Sequence, residues 1–228
     1  MATIAITGAG RGIGLELVRQ YAAAGDDVVA LCRDPAKAAD LAVLAAASGG
    51  KVTVHAMDVG DDASVKAAAA ASGSGPIDVL VNMAGVIGGE KQGLGDADWA
   101  AWQDAFNVMT IGPLRVAQAF LPRMAAGSKI ATITSQLGAS TWPYGGFYAY
   151  GAAKAAVNRV MRSLAIDLKD RGILVGLIHP GWVKTDMGGP GADIDKEESA
   201  SGIRGVIAGL KAETSGDFFK WNGETHAW

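Results

Sequence analysis

At 228 residues, half of them hydrophobic and 19% charged, the chain carries ample apolar material for one large core, which excludes global disorder. A formal net charge of −3 gives no basic field for phosphate backbones, so composition offers no support for nucleic-acid binding. The single cysteine, Cys32, cannot form an internal disulfide and shares no metal-ligand spacing with His55, His179 or His226, so no metal site is expected.

Short β-branched runs alternate with longer helical patterns along the whole chain, the signature of βαβ units and a parallel sheet covered on both faces. The pattern predicts a strand at Thr3–Thr7, a helix at Ile13–Ala24, a strand at Asp27–Cys32, and a helix from about Pro35, a residue suited to a first turn. Val52–Ala56 reads as the third strand, Ala63–Ala71 as an alanine-rich helix and Ile77–Val81 as the fourth strand. Helices follow at about Asp96–Phe106 and Val108–Ala125, then a fifth strand at Lys129–Thr134 and a long helix at about Phe147–Asp170. A sixth strand at Ile173–Ile178, a helix near Ser199–Leu210 and a last strand near Asp217–Lys220 close the series. No repeat or linker interrupts it, so residues 1–228 are expected to form one doubly wound α/β domain, a Rossmann-type parallel sheet of about seven strands that includes the substrate site. The Met1-Ala2-Thr3-Ile4 start runs straight into a strand with no leader pattern, and no segment reaches the roughly 18 apolar residues of a membrane span. A soluble, cytoplasmic protein is therefore expected, with no membrane partner.

The first strand runs into Thr7-Gly8-Ala9-Gly10-Arg11-Gly12-Ile13-Gly14, from which the first helix leaves. Glycines let a backbone turn tightly and approach a pyrophosphate, whose charge then rests on free helix N–H groups. The spacing departs from G-x-G-x-x-G, because Ile13 or Leu15 falls where the last glycine belongs; Gly8, Gly12 and Gly14 form a wider set led by a threonine. The alternative, a turn that merely connects strand and helix, is weakened by its placement. Cofactor choice follows from the end of the second strand, where an acid binds ribose hydroxyls and a cation accepts a 2′-phosphate. Cys32 takes the acid's place there, Arg33 follows it, and Arg11 is a second cation near the same pocket. This favours NADP(H) over NAD(H); the competing reading is a surface pair between Arg33 and Asp34. Asp58-Val59 after the third strand and Asn82-Met83-Ala84-Gly85 after the fourth belong at the same carboxyl edge, where small residues admit a flat ring or a ribose. Ordinary strand-end turn chemistry would use the same residue types.

Tyr150 and Lys154 stand four apart at the head of the long helix and so share a face. An ammonium beside a phenol favours the phenolate, so Tyr150 is expected to be the proton donor or acceptor and Lys154 its tuner. Ser135, at the end of the fifth strand, can hydrogen-bond a substrate carbonyl. Asn107 lies where two helical segments join, a local break that would hold a water near Lys154. Tyr148 is a rival to Tyr150, but its fourth neighbour is Ala152 rather than a lysine.

With these residues in hand, the chain resembles the short-chain dehydrogenase/reductase family along nearly its whole length. The order and spacing of the threonine-led glycine turn, Asn82-Met83-Ala84-Gly85, Asn107, Ser135, Tyr150 with Lys154, and Pro180-Gly181-Trp182-Val183-Lys184-Thr185 carry the resemblance. It implies a tetrad of Asn107, Ser135, Tyr150 and Lys154, with Thr185 and the Val183 backbone holding the nicotinamide carboxamide and Pro180-Gly181 alongside. It further implies reduction of a ketone or aldehyde by hydride from the nicotinamide, or the reverse, and a homodimer or homotetramer. The ending Gly216–Trp228 resembles a carbonyl-reductase-like subgroup that includes sniffer-like and C-factor-like proteins. Two departures stand out: Met83 replaces the family's usual second asparagine, and the interval from Ser135 to Tyr150 is longer than the commonest family spacing. The loop Ala139–Phe147 is therefore expected to bulge, with Trp142, Tyr144 and Phe147 forming one wall of a substrate pocket or packing an interface. The reading weighed against an enzyme is a non-catalytic NADP(H) sensor or signalling protein on the same fold, which has no need of Ser135, Tyr150 and Lys154 together.

Overall fold

The computed structural model describes residues 1–89, 92–95 and 97–228. Seven strands form one sheet: β1 (Thr3–Thr7), β2 (Asp27–Cys32), β3 (Val52–Ala56), β4 (Val79–Asn82), β5 (Lys129–Ile133), β6 (Leu174–His179) and β7 (Phe218–Lys220). Their order is β3-β2-β1-β4-β5-β6-β7, with every neighbouring pair parallel, as the alternating pattern predicts. Between them run α1 (Gly12–Ala23), α2 (Ala39–Ala47), α3 (Asp62–Ala71), α4 (Trp99–Phe106), α5 (Gly112–Phe120), α6 (Tyr148–Asp167) and α7 (Lys196–Gly209).

Alternation along each strand sends side chains to opposite faces, and the core divides accordingly. From β1, Ile4 and Ile6 join Leu17, Leu41, Ile203 and Ile207 in the layer under α1, α2 and α7. Ala5 joins Leu80, Ile130, Val116, Phe120, Val157 and Met161 in the layer under α3, α5 and α6. Chain order reverses between β1 and β4, so the carboxyl ends of these two strands make the switch-point crevice where such sheets bind ligands.

Several boundaries differ from the expectations, each for a local reason. β4 starts at Val79 rather than Ile77, since the Ile77 amide donates to the Arg123 carbonyl at the sheet's rim. The helix expected from Pro35 divides into a 3₁₀ turn (Pro35–Lys37) and α2, because Ala38 leaves the helical region at φ −97°, ψ 61°. The stretch expected as one helix from Val108 to Ala125 begins as a π turn, Asn107–Ile111, and ends as a 3₁₀ turn, Leu121–Arg123, with α5 between. The expected helix start at Asp96 lies outside the described residues; α4 begins at Trp99, where the Asp98 carboxylate accepts from the Ala100 and Ala101 amides. α7 starts three residues before Ser199, capped by Asp195 through the Glu198 amide. Among the described residues no helix is long and apolar enough to cross a membrane.

His179, the last residue of β6, is buried with no partner for its Nδ1 and meets the His226 ring edge-on at 5.9 Å. Burial, reinforced by His226 and Lys220, lowers its pKa from 6.5 to about 4. The folded state therefore keeps it neutral while the unfolded chain takes up a proton, so this contribution is fully present above 6.5 and is lost as pH falls through about 4. Denaturant melts should show up to about 3 kcal/mol of acid-induced loss across that window, and His179→Phe should flatten it; an equal slope in the variant would remove His179 as the cause.

Candidate active site

The glycine turn is built by close approach. Gly8 sits at φ +66°, and a Cβ there would lie 2.9 Å from the Ala84 backbone at the end of β4. Gly12 also has positive φ, +56°, and a Cβ on Gly14 would fall 2.2 Å from the Gly8 carbonyl oxygen, so only glycine lets α1 leave β1 this closely. Gly10 fills a different role: its missing Cβ would touch the Cβ atoms of Cys32 and Ala38 at 3.4 Å, at the end of β2. Thr7 ties the two switch-point strands together, its hydroxyl accepting from the Met83 and Ala84 amides at 3.0 and 3.2 Å. Arg11 caps α1 with no side-chain bond to the first turn, which leaves amides of that turn, around Ile13, open to an anion.

Across the crevice, β5 ends at Ile133 and the chain turns through Thr134 and Ser135 into a short 3₁₀ turn. The Ser135 hydroxyl accepts from the Leu137 amide at 3.2 Å and faces Tyr150. Burial raises the Tyr150 pKa above its usual 10, with the Ser135 hydroxyl acting in the opposite direction. Lys154 is buried, its Nζ 5.7 Å from the Tyr150 ring centroid and donating to the Ile133 carbonyl at 2.7 Å. Its own pKa is lowered by burial to about 8. The expected lowering of Tyr150 by Lys154 is thus corrected: dehydration of the phenol prevails, and the ammonium is held by a backbone carbonyl.

The short chain dehydrogenase family model matches residues 2–194. The chain belongs to the short-chain dehydrogenase family. The C-signal protein of Myxococcus xanthus is 44% identical over 68% of this chain and 95% of its own length. An NADPH-bound carbonyl reductase from chicken fatty liver superposes with a TM-score of 0.92 at 32% identity, covering 100% of this chain and 99% of the other. The carbonyl reductase Sniffer of D. melanogaster gives 0.91 at 29% identity, with full coverage of both chains. These neighbours agree with the resemblance drawn from the motifs.

The residues of this short-chain dehydrogenase fit a nicotinamide dinucleotide. The glycine cradle leaves no room for side chains, and Asn82 presents a buried Oδ1 without a partner while its Nδ2 reaches Thr132 and the Pro113 carbonyl, both at 3.3 Å. Gly85 is beside Lys154: a Cβ there would lie 4.0 Å from Nζ. On the opposite rim the Thr185 hydroxyl donates to the Val183 carbonyl and accepts from Gly188, and its methyl would stand 3.6 Å from a Cβ on Gly12. Pro180 is anchored by the Ser199 hydroxyl at 2.6 Å, and Gly181, at φ +87°, packs against Ile194 and Trp221. The two expected phosphate cations separate. Arg11 pairs with Asp186 at 3.2 Å, both side chains exposed, whereas Arg33 is exposed with no ion pair among the described residues. Asp34 pairs with Lys37 at 3.0 Å and caps the turn through the Ala36 amide, so the alternative Arg33–Asp34 pair does not form.

Asn107 opens a local break, the π turn, and its side chain makes two contacts: Nδ2 donates to the Gly60 carbonyl at 2.9 Å and Oδ1 accepts from Arg115 at 3.2 Å. Arg115 also donates to the Val59 carbonyl, and Asp58 accepts from the Gly60 amide, so these residues brace the end of β3. Asn107 thus sits at the π turn with its side chain tied to the end of β3 and to Arg115.

Sequence reading missed the residues that fix Ser135 against α6. The Thr134 hydroxyl donates to Asn158 Oδ1 at 2.6 Å, and Asn158 Nδ2 reaches the Gly138 carbonyl at 3.5 Å. A Cβ on Gly138 would fall 2.7 Å from the Lys154 backbone carbon. The signal was present: Tyr150, Lys154 and Asn158 repeat at four-residue intervals on one face.

Proposed function

We propose that this chain is an NADP(H)-dependent carbonyl reductase, converting a ketone or aldehyde to its alcohol or catalysing the reverse. The observation that carries the reading is the convergence of Ser135, Tyr150 and Lys154 beside a glycine cradle at the sheet's switch point. A bound NADPH supplies the hydride. Ser135 hydrogen-bonds the substrate oxygen and polarises the carbonyl; Tyr150, a phenol protonated at neutral pH, delivers the proton to that oxygen. Lys154, anchored on the Ile133 carbonyl beside the Tyr150 ring, would grip the nicotinamide ribose. Asn107, through its π turn, positions the segment whose Thr110 hydroxyl donates to the Ala153 carbonyl of α6 at 2.9 Å. The two relatives whose names print a carbonyl reductase support the same chemistry. We further place the protein in the cytoplasm as a homodimer or homotetramer.

Incubating the purified protein with NADPH and a panel of aldehydes and ketones tests the reading: NADPH absorbance should fall with at least one of them, and a wholly inert protein that still binds NADPH would overturn it. For cofactor choice, Arg33 is the free guanidinium that would meet a 2′-phosphate. Arg33→Ala should weaken NADPH binding about tenfold while leaving NADH nearly unchanged, one charge-assisted contact being worth about 1.5 kcal/mol or more. An unchanged preference would take Arg33 out of the account.

A further inference from the structure

After β7 the chain turns at Gly223 and doubles back along that strand. The Lys220 amide donates to the Glu224 carbonyl and the His226 amide to the Phe218 carbonyl, both at 2.7 Å. The His226 ring stacks on Phe218 with centroids 4.5 Å apart and planes at 29°. This return brings Trp228 against α6, its ring 6.0 Å from the Arg162 guanidinium and 5.8 Å from the Phe218 ring. Arg162 is itself fixed, donating to the Gly216 carbonyl and the Asp217 carboxylate at 3.0 and 3.1 Å, so the indole rests on a cation that cannot swing away. From this seat the Trp228 carbonyl accepts from the Thr141 amide at 3.3 Å. Thr141 lies in the loop that joins Ser135 to Tyr150. Among the described residues, this is the one hydrogen bond by which residues 139–147 reach beyond the flanking turn and helix head, residues 136–151. Trp228 also borders one cavity with Gly138, Ser140 and Asn158, and Asn158 holds both Thr134 and the Gly138 carbonyl.

We propose that Trp228 is a positioning residue for carbonyl reduction, anchoring the Ser135–Tyr150 loop at Thr141 and so keeping Ser135 in register with Tyr150. The proposal rests on the reductase reading above. Trp228 acts through the loop and not on the substrate. At the loop's near end the Ser135 hydroxyl accepts from the Leu137 amide, so a loop released at Thr141 loosens the turn that aims this hydroxyl. At its far end Phe147, with φ +50°, leads directly into the first turn of α6, which carries Tyr150. Both reacting side chains therefore depend on one loop with a single outside anchor, and small misplacements of such groups cost rate steeply.

Trp228→Ala and Trp228→Phe test it, with the protein loaded with NADPH and mixed with a ketone that it consumes. Trp228 is 44% exposed, so its truncation leaves the core intact, and a thermal melt of each variant checks this. Trp228→Ala should lower the single-turnover rate about tenfold while the NADPH Kd stays within about twofold, and Trp228→Phe should restore most of the rate. Hydrogen exchange followed by NMR should show the Leu137 and Thr141 amides exchanging about tenfold faster in Trp228→Ala and at near wild-type rates in Trp228→Phe. In an active enzyme, a turnover rate or a Leu137 exchange rate that ignores Trp228 overturns the anchor and leaves the reductase reading standing. If the wild type reduces no carbonyl compound but both amides quicken in Trp228→Ala, the anchor on Ser135 stands and the reductase reading fails.

Discussion

Tyr150→Phe should reduce carbonyl turnover by roughly 10²- to 10⁴-fold, the range spanned by a positioned general acid, while NADPH binding stays close to that of the wild type. Only the hydroxyl is removed. The ring packs against the core layer that contains Val157 and Phe120, so its position survives the change. Because the phenol is protonated at neutral pH, the wild-type enzyme holds a proton facing Ser135, and phenylalanine leaves none there. Tyr148 cannot replace it: it is exposed and lacks a lysine four residues on. Steady-state rates paired with a fluorescence titration of NADPH separate the two effects. Turnover within a few-fold of the wild type would remove Tyr150 from the chemistry.

Gly14→Ala should have the second large effect, and for a different reason. The new methyl group would sit 2.2 Å from the Gly8 carbonyl oxygen, a backbone atom that no rotamer change can move. α1 must therefore shift from β1, disturbing Leu17 and Val18, which are fully buried on its inner face. Overpacking of this kind costs about 1–3 kcal/mol of stability. The phosphate cradle moves with the helix, so NADPH affinity should fall by about 100-fold or more, beyond the stability loss, as oriented amide donors are lost. Gly10→Ala is the internal comparison, because its methyl would meet only side-chain carbons at 3.4 Å and its φ is not positive. Denaturant melts and cofactor titrations should rank the two variants in that order; equal behaviour would mean that the close approach at Gly14 has no part in binding.

The parts of this molecule that were legible in its sequence are those set by local chemistry. The glycine turn is readable because close backbone approach at Gly8 and Gly14 and a positive φ at Gly8 and Gly12 all favour glycine. The alternation of short β-branched runs with helical patterns and the four-residue step from Tyr150 to Lys154 survive folding unchanged. The π turn at Asn107–Ile111 was not readable as such, since a one-residue bulge in a helix has no composition of its own. The sign of the Tyr150 shift was also out of reach: spacing places an ammonium nearby, but only the packed structure reveals how dry the phenol is and that Ile133 claims the lysine. The start of α7 was readable in principle, because Asp195 three residues before Glu198 is a capping pattern. Arg11 illustrates the converse. Its exposed ion-pair partner, Asp186, lies 175 residues along the chain, a contact that no local pattern encodes.

The central claim is that hydride passes between a nicotinamide and a carbonyl carbon within reach of Ser135 and Tyr150. Label transfer tests it most directly. NADPH deuterated at the nicotinamide C4 position is incubated with the enzyme and a ketone that it consumes, and the alcohol is analysed by mass spectrometry and NMR. The account predicts deuterium on the carbinol carbon from one face of the cofactor only, with the transfer nearly abolished in Tyr150→Phe. Alcohol formed without label from either face, or labelled equally well by the variant, would contradict it.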